Sequence, residues 1–534
     1  MQSKNKLILL FIIFLAYLYF RGIGDHGLID PVEGVNASVG LSMLNRGNYF
    51  IPRIGENLIS GKSLGSWWLI SLGLKFFGWS VFSVRFFSAL SGLGMIFAAA
   101  FSAKRSHFES SRKAWLAASI CAGTLSSFTA SQFVSSHALY SCLTGLCMMS
   151  FIRGYENKNW FIFAHLFALL ALISHGLEGI ILPYLVFIIF AILNDDGESV
   201  RKFFLWPPAA FTLIFGAGLY FITLIFKNPY IFHFMRCETI RPNFGNSYGG
   251  IIFILISFMP WHGFIIQAVI DVWPSLENFS WSEFALTDKN NPRAFILLWA
   301  IVFASASILM QDYMSLASCV PAISALLGDM VDIWLYNKRF TELKIATALN
   351  IVILLPIILI GIPIILFIIP NSENLLLSLI PYALLIFLFL FACWYYTKTK
   401  QVEKWARNVP GAALLCLMPL AGVFDLMAVN FGIHDAGMNL REIVRHEDVV
   451  IQYEINYPSS YFYTLKNSIL VNSDLSDGIQ EKKLFRTPDQ LTKLWTGNNK
   501  IFMLIKSNIP IPDKIPGNAY NIMDSENVSL WSNK

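Results

Sequence analysis

The sequence predicts a mainly α-helical, polytopic membrane protein of about thirteen transmembrane helices, followed by a small α/β domain. Three observations predict it. Of 534 residues, 55% are hydrophobic and only 14% charged, with a mean hydropathy of +0.57, whereas a soluble chain carries about a quarter charged residues. Apolar runs of about 18 residues or more recur along most of the chain. Residues 432–534 alone have the composition of a soluble unit. These features exclude a disordered chain, a collagen, a coiled coil and a disulfide-stapled secreted fold. Cys121, Cys142, Cys147, Cys319, Cys393 and Cys416 lie inside apolar segments and only Cys237 sits in a polar loop, so no disulfide framework is implied.

Taken in order, the apolar stretch at 7–20 follows Lys4 and Lys6 as a signal peptide would. Arg21 rather than a small-residue cleavage site comes next, so the stretch is expected to stay as the first helix. The others are expected near 84–103, 114–133, 138–152, 159–174, 178–194, 203–226, 249–271, 293–310, 313–335, 345–370, 373–397 and 409–430, with a break around Gln311 and Asp312 that could join two of them into one broken helix. An odd count puts the termini on opposite sides. With the N-terminus cytoplasmic, the inner loops collect Lys104, Arg105, Arg112 and Lys113, then Arg153 and Lys158, Arg201 and Lys202, Lys289 and Arg293, Lys338, Arg339 and Lys344, and Lys398, Lys400, Lys404 and Arg407. The outer loops between the third and twelfth helices hold only Lys227, Arg236 and Arg241. That asymmetry sets the orientation by the positive-inside rule.

The expected organisation is a transmembrane domain, residues 1–431, with outside loops at 23–83 and 227–248, and an outside soluble domain at 432–534. Strand-like alternation marks 449–453 and 500–505 of that domain. No P-loop or dinucleotide fingerprint is present, so coupling to ATP is not expected, and neither is a nucleic-acid partner.

The first outside loop concentrates charge among aromatic and amphipathic stretches: Asp30-Pro31-Val32-Glu33-Gly34, Pro52-Arg53, Gly61-Lys62-Ser63, Trp67-Trp68 and Arg85. Residues 35–44 read as a helix lying along the interface after an Asp-Pro break. A carboxylate held at such a break can act as a general base towards a hydroxyl or amine. Lys62 and Arg53 on the same loop can neutralise a departing phosphate.

The segment from Leu28 to Arg85 resembles the first periplasmic loop of bacterial polyprenyl-phosphate-sugar glycosyltransferases. These are the lipid A aminoarabinose transferases and their relatives in the protein O-mannosyltransferase superfamily. Further similarities follow in the same order: Ser174-His175-Gly176 with Leu182-Pro183, Lys227-Asn228-Pro229, Glu238 and Arg241, Pro260-Trp261, and Tyr313 with Pro321-Ala322. The resemblance implies a GT-C fold in a bacterial inner membrane. It also implies transfer of a sugar from an undecaprenyl-phosphate donor to a lipid, glycan or protein acceptor on the periplasmic face. By the resemblance Glu33 matches the second acid of the family's Asp-Glu pair while Val32 replaces the first, so Glu33, ahead of Asp30, is the implied base. Lys62 matches the phosphate-binding lysine, with Arg53, Arg85 and His175 as further donor-phosphate positions and His137, Glu238 and Arg241 as substrate-binding ones. His137 stands where the family has an acid and His175 where it has a lysine. Gly61 and Thr239 replace a glutamate and a histidine, so no divalent metal or other cofactor is expected.

Elsewhere, His165 reads as a buried, satisfied histidine, Asp312 and Asp329 as helix-end groups reaching water, and Asp425 as an ionisable group at membrane depth. His434-Asp435 lacks the third ligand a metal would need, and Pro356 and Pro363 read as kinks. The competing classes are a non-catalytic homologue and a polytopic transporter, which would place paired charge near the bilayer midplane.

Overall fold

A computed structural model describes residues 2–59, 61, 63–104, 111–227, 248–272, 293–368, 373–471, 485–486, 488–507, 509–511, 515, 519–525 and 527–534. The chain is mainly helical. Among the described residues six helices are long and apolar enough to cross a membrane: Val81–Ala103, Pro207–Lys227, Tyr313–Tyr336, Phe340–Ile360, Leu379–Lys398 and Val402–Phe431. Shorter apolar helices include Trp160–His175, Glu178–Leu193 and Arg293–Leu309. In Pro207–Lys227 only 11% of the apolar window is buried, and Ile214 and Phe226 are 72% and 82% exposed. So much open apolar surface fits a hydrocarbon solvent, where a helix satisfies its own backbone.

The chain forms two compact units, which differ from the domains expected from the sequence. One contains residues 1–21, 88–223 and 239–421; the other contains 22–87, 224–238 and 422–534. The loop at 23–83 and the C-terminal segment therefore fall in one compact unit, joined by bonds of Asp30 and Ser38.

In the first unit, some stretches expected as single helices are broken. Residues 249–271 form Tyr248–Ser257 and His262–Val272, because Pro260 has no N–H to donate. Asn350, fully buried, repairs the break: its Nδ2 donates to the Pro260 carbonyl (2.6 Å) and its Oδ1 accepts from the Gly263 amide (2.7 Å). Residues 114–133 likewise form Ser111–Ala122 and Leu125–Gln132. The break at Gln311 also exists, with φ of 54°, and a 3₁₀ turn, Tyr313–Cys319, leads into the helix Val320–Tyr336 with Pro321 in its first turn.

Asp329 corrects an expectation. It does not reach water but is 2% exposed, paired with Lys113 Nζ at 2.6 Å and Arg293 Nε at 2.5 Å, while Asp332 pairs with Arg112. The pairs sit in the last half of Val320–Tyr336 and at the start of Ser111–Ala122. A buried acid needs such partners, and Lys113→Met should therefore cost about 3–5 kcal/mol, read as a fall in chemical-denaturation midpoint of the detergent-solubilised protein. His165 is buried as expected, between Tyr184 Oη (2.5 Å) and the Phe203 carbonyl (3.0 Å).

In the second unit the expected interfacial helix is Val32–Arg46, ending at Gly47 with φ of 64°, the left-handed cap glycine tolerates. It packs beside Leu64–Phe77, where Trp67 Nε1 donates to Asn36 Oδ1 (2.7 Å). A small hairpin, β1 (Arg53–Ile54) and β2 (Asn57–Leu58), lies between them in sequence. The C-terminal segment builds a six-stranded sheet from β3 (Val449–Tyr453), β4 (Ser468–Val471), β5 (Phe485–Arg486), β6 (Ile501–Lys506), β7 (Tyr520–Asp524) and β8 (Val528–Ser532), in the order β5-β4-β3-β6-β8-β7. The first four in that order are parallel and the last two join antiparallel. Central β3 and β6 are almost continuously buried, as parallel strands covered on both faces are. Ile451, Met503 and Trp495 anchor the core of this sheet.

Candidate functional site

Two clusters collect most of the described candidate residues, one in each unit. In the second unit, Asp30 precedes Pro31, which opens the helix Val32–Arg46. Asp30 is 8% exposed. Its Oδ1 accepts from the Ser459 amide (3.0 Å), and its Oδ2 accepts from Ser459 Oγ. Nearby, Ser38 Oγ donates to the Pro458 carbonyl (2.8 Å). These bonds tie the first loop to the short helix Ser459–Thr464. Burial pushes the Asp30 carboxyl up to about 7; the bonds from Ser459 oppose the rise and the Glu33 charge adds to it. A carboxyl at that value is divided between acid and base at neutral pH.

Gly34 is where that pairing leaves no room. A Cβ there would stand 1.8 Å from Asp30 Oδ1 and 2.6 Å from the Ser459 nitrogen. Gly34→Ala should displace both at a cost of about 1–3 kcal/mol, seen as a lowered melting temperature and faster protease cleavage after residue 431.

Glu33 is built differently. Its carboxylate is 1% exposed and is forked by Arg85, which is 0% exposed, with Nε to Oε1 at 2.9 Å and Nη2 to Oε2 at 2.6 Å. The Ile29 amide adds a third bond (2.9 Å). Arg85 spends its other N–H groups on the carbonyls of Ile23 (3.0 Å), His26 (2.8 Å) and Gly27 (2.7 Å). A guanidinium has five N–H donors, and all are used inside the loop. The phosphate role expected of Arg85 does not fit this geometry; it clamps the chain between Ile23 and Glu33 instead. Arg53 is half-buried on the β1–β2 hairpin, with Nη1 donating to the Glu56 carbonyl at 3.0 Å. Lys62, Glu238 and Arg241 lie outside the described residues.

In the first unit, His137, His175 and Asp312 come together from three separate segments. His175 Nε2 lies 3.5 Å from Asp312 Oδ2 and 3.6 Å from Glu178 Oε2, and His137 Nε2 lies 3.8 Å from Asp312 Oδ1. Asp312 reaches water, its side chain 32% exposed, while the turn after Gln311 also brings it over both imidazoles. The resemblance drew attention to the two histidines, but their acidic partner was invisible from the sequence, since it lies 137 residues beyond His175. Ser459, too, carries no motif. His434 has a partner in Tyr463 Oη (3.1 Å) and lines, with Asp25, His26 and Asp425, a cleft of about 210 Å³.

The model of the dolichyl-phosphate-mannose-protein mannosyltransferase family matches residues 62–221. The solved structure of ArnT from Cupriavidus metallidurans bound to undecaprenyl phosphate matches 99% of this chain and 98% of its own, with a TM-score of 0.77 at 16% identity. The chain therefore has the fold of a GT-C superfamily glycosyltransferase. Within that class it is similar in sequence to the undecaprenyl phosphate-alpha-4-amino-4-deoxy-L-arabinose arabinosyl transferases. The one from Wigglesworthia glossinidia brevipalpis is 24% identical over 381 residues, 66% of this chain and 63% of that protein. The one from Shewanella sediminis is 26% identical over 218 residues, 38% of each. The alignments span 63% or less of these two relatives' own lengths.

Proposed function

We propose that the protein is an integral membrane glycosyltransferase that moves a sugar from an undecaprenyl-phosphate donor to a lipid, glycan or protein acceptor. The observation that carries this reading is Asp30: a carboxyl buried at the head of an outside-loop helix, with its midpoint pushed to about 7. The similarity to arabinosyl transferases and to the mannosyltransferase family model supports the donor class. In this reading about thirteen helices cross a bacterial inner membrane, the N-terminus is cytoplasmic, and residues 432–534 are periplasmic with the first loop.

In the proposed mechanism, the acceptor oxygen or nitrogen attacks the sugar's anomeric carbon while the bond from that carbon to the lipid phosphate oxygen breaks. The acceptor's proton passes to Asp30, and the bond's electron pair leaves on the phosphate. Arg53 and Lys62 supply positive charge to that leaving group, because charge developing in a site of low dielectric needs fixed partners. Glu33 and Arg85 hold the loop in shape. Glu238 and Arg241 are kept as substrate-binding positions, and no metal is placed at Gly61 and Thr239.

The test is comparative mass spectrometry of envelope glycolipids and accumulated polyprenyl-phosphate sugars, in a deletion strain complemented with wild type or Lys62→Ala. A sugar should vanish from its acceptor in the deletion, return with wild type and fail to return with a well-expressed Lys62→Ala. An unchanged profile in the deletion would overturn the reading.

A further inference from the structure

The cluster in the first unit has a geometry of its own. Three potential ligand atoms, one each from His137, His175 and Asp312, lie within 4.8 Å of one another. His175 is 4% exposed, and its Nε2 has no hydrogen-bond partner. A protonated imidazole bridging two carboxylates would draw each oxygen to about 2.7–2.9 Å, yet Asp312 and Glu178 stand 3.5 and 3.6 Å away. Two bonds of roughly 2.1 Å meeting at a tetrahedral angle on one ion separate their ligand atoms by about 3.4 Å. The His175–Asp312 spacing of 3.5 Å matches that separation, and the His137–Asp312 spacing of 3.8 Å lies within the roughly 4.2 Å that two such bonds can span.

The supporting bonds point the same way. Ser315 Oγ donates its single hydrogen to Asp312 Oδ2 (2.7 Å) and also contacts His137 Nδ1 (3.3 Å). Its hydrogen being spent, Ser315 must accept from His137 Nδ1–H, which leaves the lone pair of the neutral ring on Nε2, facing Asp312. Ser136 Oγ lies 3.0 Å from His175 Nδ1, within hydrogen-bond reach, and the ring stacks on Tyr140 with centroids 4.3 Å apart. A hydroxyl or carbonyl on the far nitrogen of each imidazole is how proteins fix a metal-ligating tautomer. The Asp312 and Glu178 carboxylates beside the two imidazoles supply negative charge, which suits a dication.

We propose that His137, His175 and Asp312 form a binding site for one divalent transition-metal ion, Zn²⁺ being the match for a two-imidazole, one-carboxylate donor set. The site is separate from positions 61 and 239. Three protein ligands leave a coordination position open to an oxygen ligand such as water.

The test uses the full-length protein in detergent, stripped with chelator, titrated with zinc sulfate and measured for bound metal after desalting. Wild type should hold one zinc per chain, and His446→Ala, which alters an exposed histidine away from the cluster, should hold the same. His175→Gln and Asp312→Asn should each weaken binding at least tenfold while melting, metal-free, at the temperature of metal-free wild type. Zinc should raise the melting temperature of wild type and not of His175→Gln. Should a variant melt early, cobalt substituted into wild type decides instead: intense visible bands of a tetrahedral site uphold the proposal, and the weak spectrum of a six-coordinate aqueous ion overturns it. Less than half an equivalent of zinc on wild type, or undiminished binding in both folded variants, would likewise overturn it.

Discussion

Asp30→Asn should lower turnover by about 10²–10⁴-fold, the contribution expected of a positioned general base, and abolish the rise in rate that wild type should show as pH passes about 7. The substitution keeps the shape and leaves an amide oxygen for the Ser459 amide, so the variant should insert and fold. Stability provides an independent readout. Native Asp30 retains its proton up to about pH 7, whereas in the unfolded chain it releases it near the ordinary carboxylate value of about 3.9. Between those values the native state binds more protons, so unfolding free energy must fall as pH rises. Wild type should therefore lose stability relative to Asp30→Asn from about pH 4 to 7, with the difference levelling above. Unfolding by denaturant at several pH values checks the sign; a variant that gains nothing relative to wild type over this window would remove Asp30 as a buried, protonatable group.

Arg85→Met should be the most damaging single change in the loop. It strips Glu33 of its fork and leaves the carbonyls of Ile23, His26 and Gly27 without donors, all of them buried. Breaking a buried pair by removing one member costs about 3–5 kcal/mol, and folded protein should fall accordingly in a size-exclusion assay. Arg85→Lys should not rescue it, because an ammonium cannot fork a carboxylate and reach three carbonyls from one plane. Glu33→Gln should be milder, and Arg85→Met combined with Glu33→Met should recover part of the loss, since replacing both members with apolar groups avoids the stranded charge. If Arg85→Met instead folds normally and loses only activity, Arg85 belongs to phosphate binding after all.

The membrane character was legible because hydrocarbon solvent imposes length and apolarity residue by residue. The helix Val32–Arg46 and strands β3 and β6 were legible as local periodicities. What the sequence could not reveal were pairings that depend on distant chain. Local charge patterns do not distinguish Glu33 from Asp30. The distinction comes from Arg85, 52 residues away from Glu33, and from Ser459, which has no flanking signature. Asp312 and Asp329 looked alike as acids near helix ends. One lies at a turn over two histidines and the other is walled in by Lys113 and Arg293, and only packing separates them. The helix break at Pro260 was hidden because an apolar run looks continuous whether or not Asn350 stands ready to cap it.

The bonds from Ser459 to Asp30 span 429 positions of chain. During synthesis the loop bearing Asp30 emerges early, and the residue that orients its carboxylate is made near the end. A nascent or truncated product ending at residue 431 would possess the loop and the apolar helices yet lack the strut for its acid. On the proposed mechanism such a product lacks an oriented base and should be silent rather than partly active, so activity waits on synthesis of the stretch that holds Ser459.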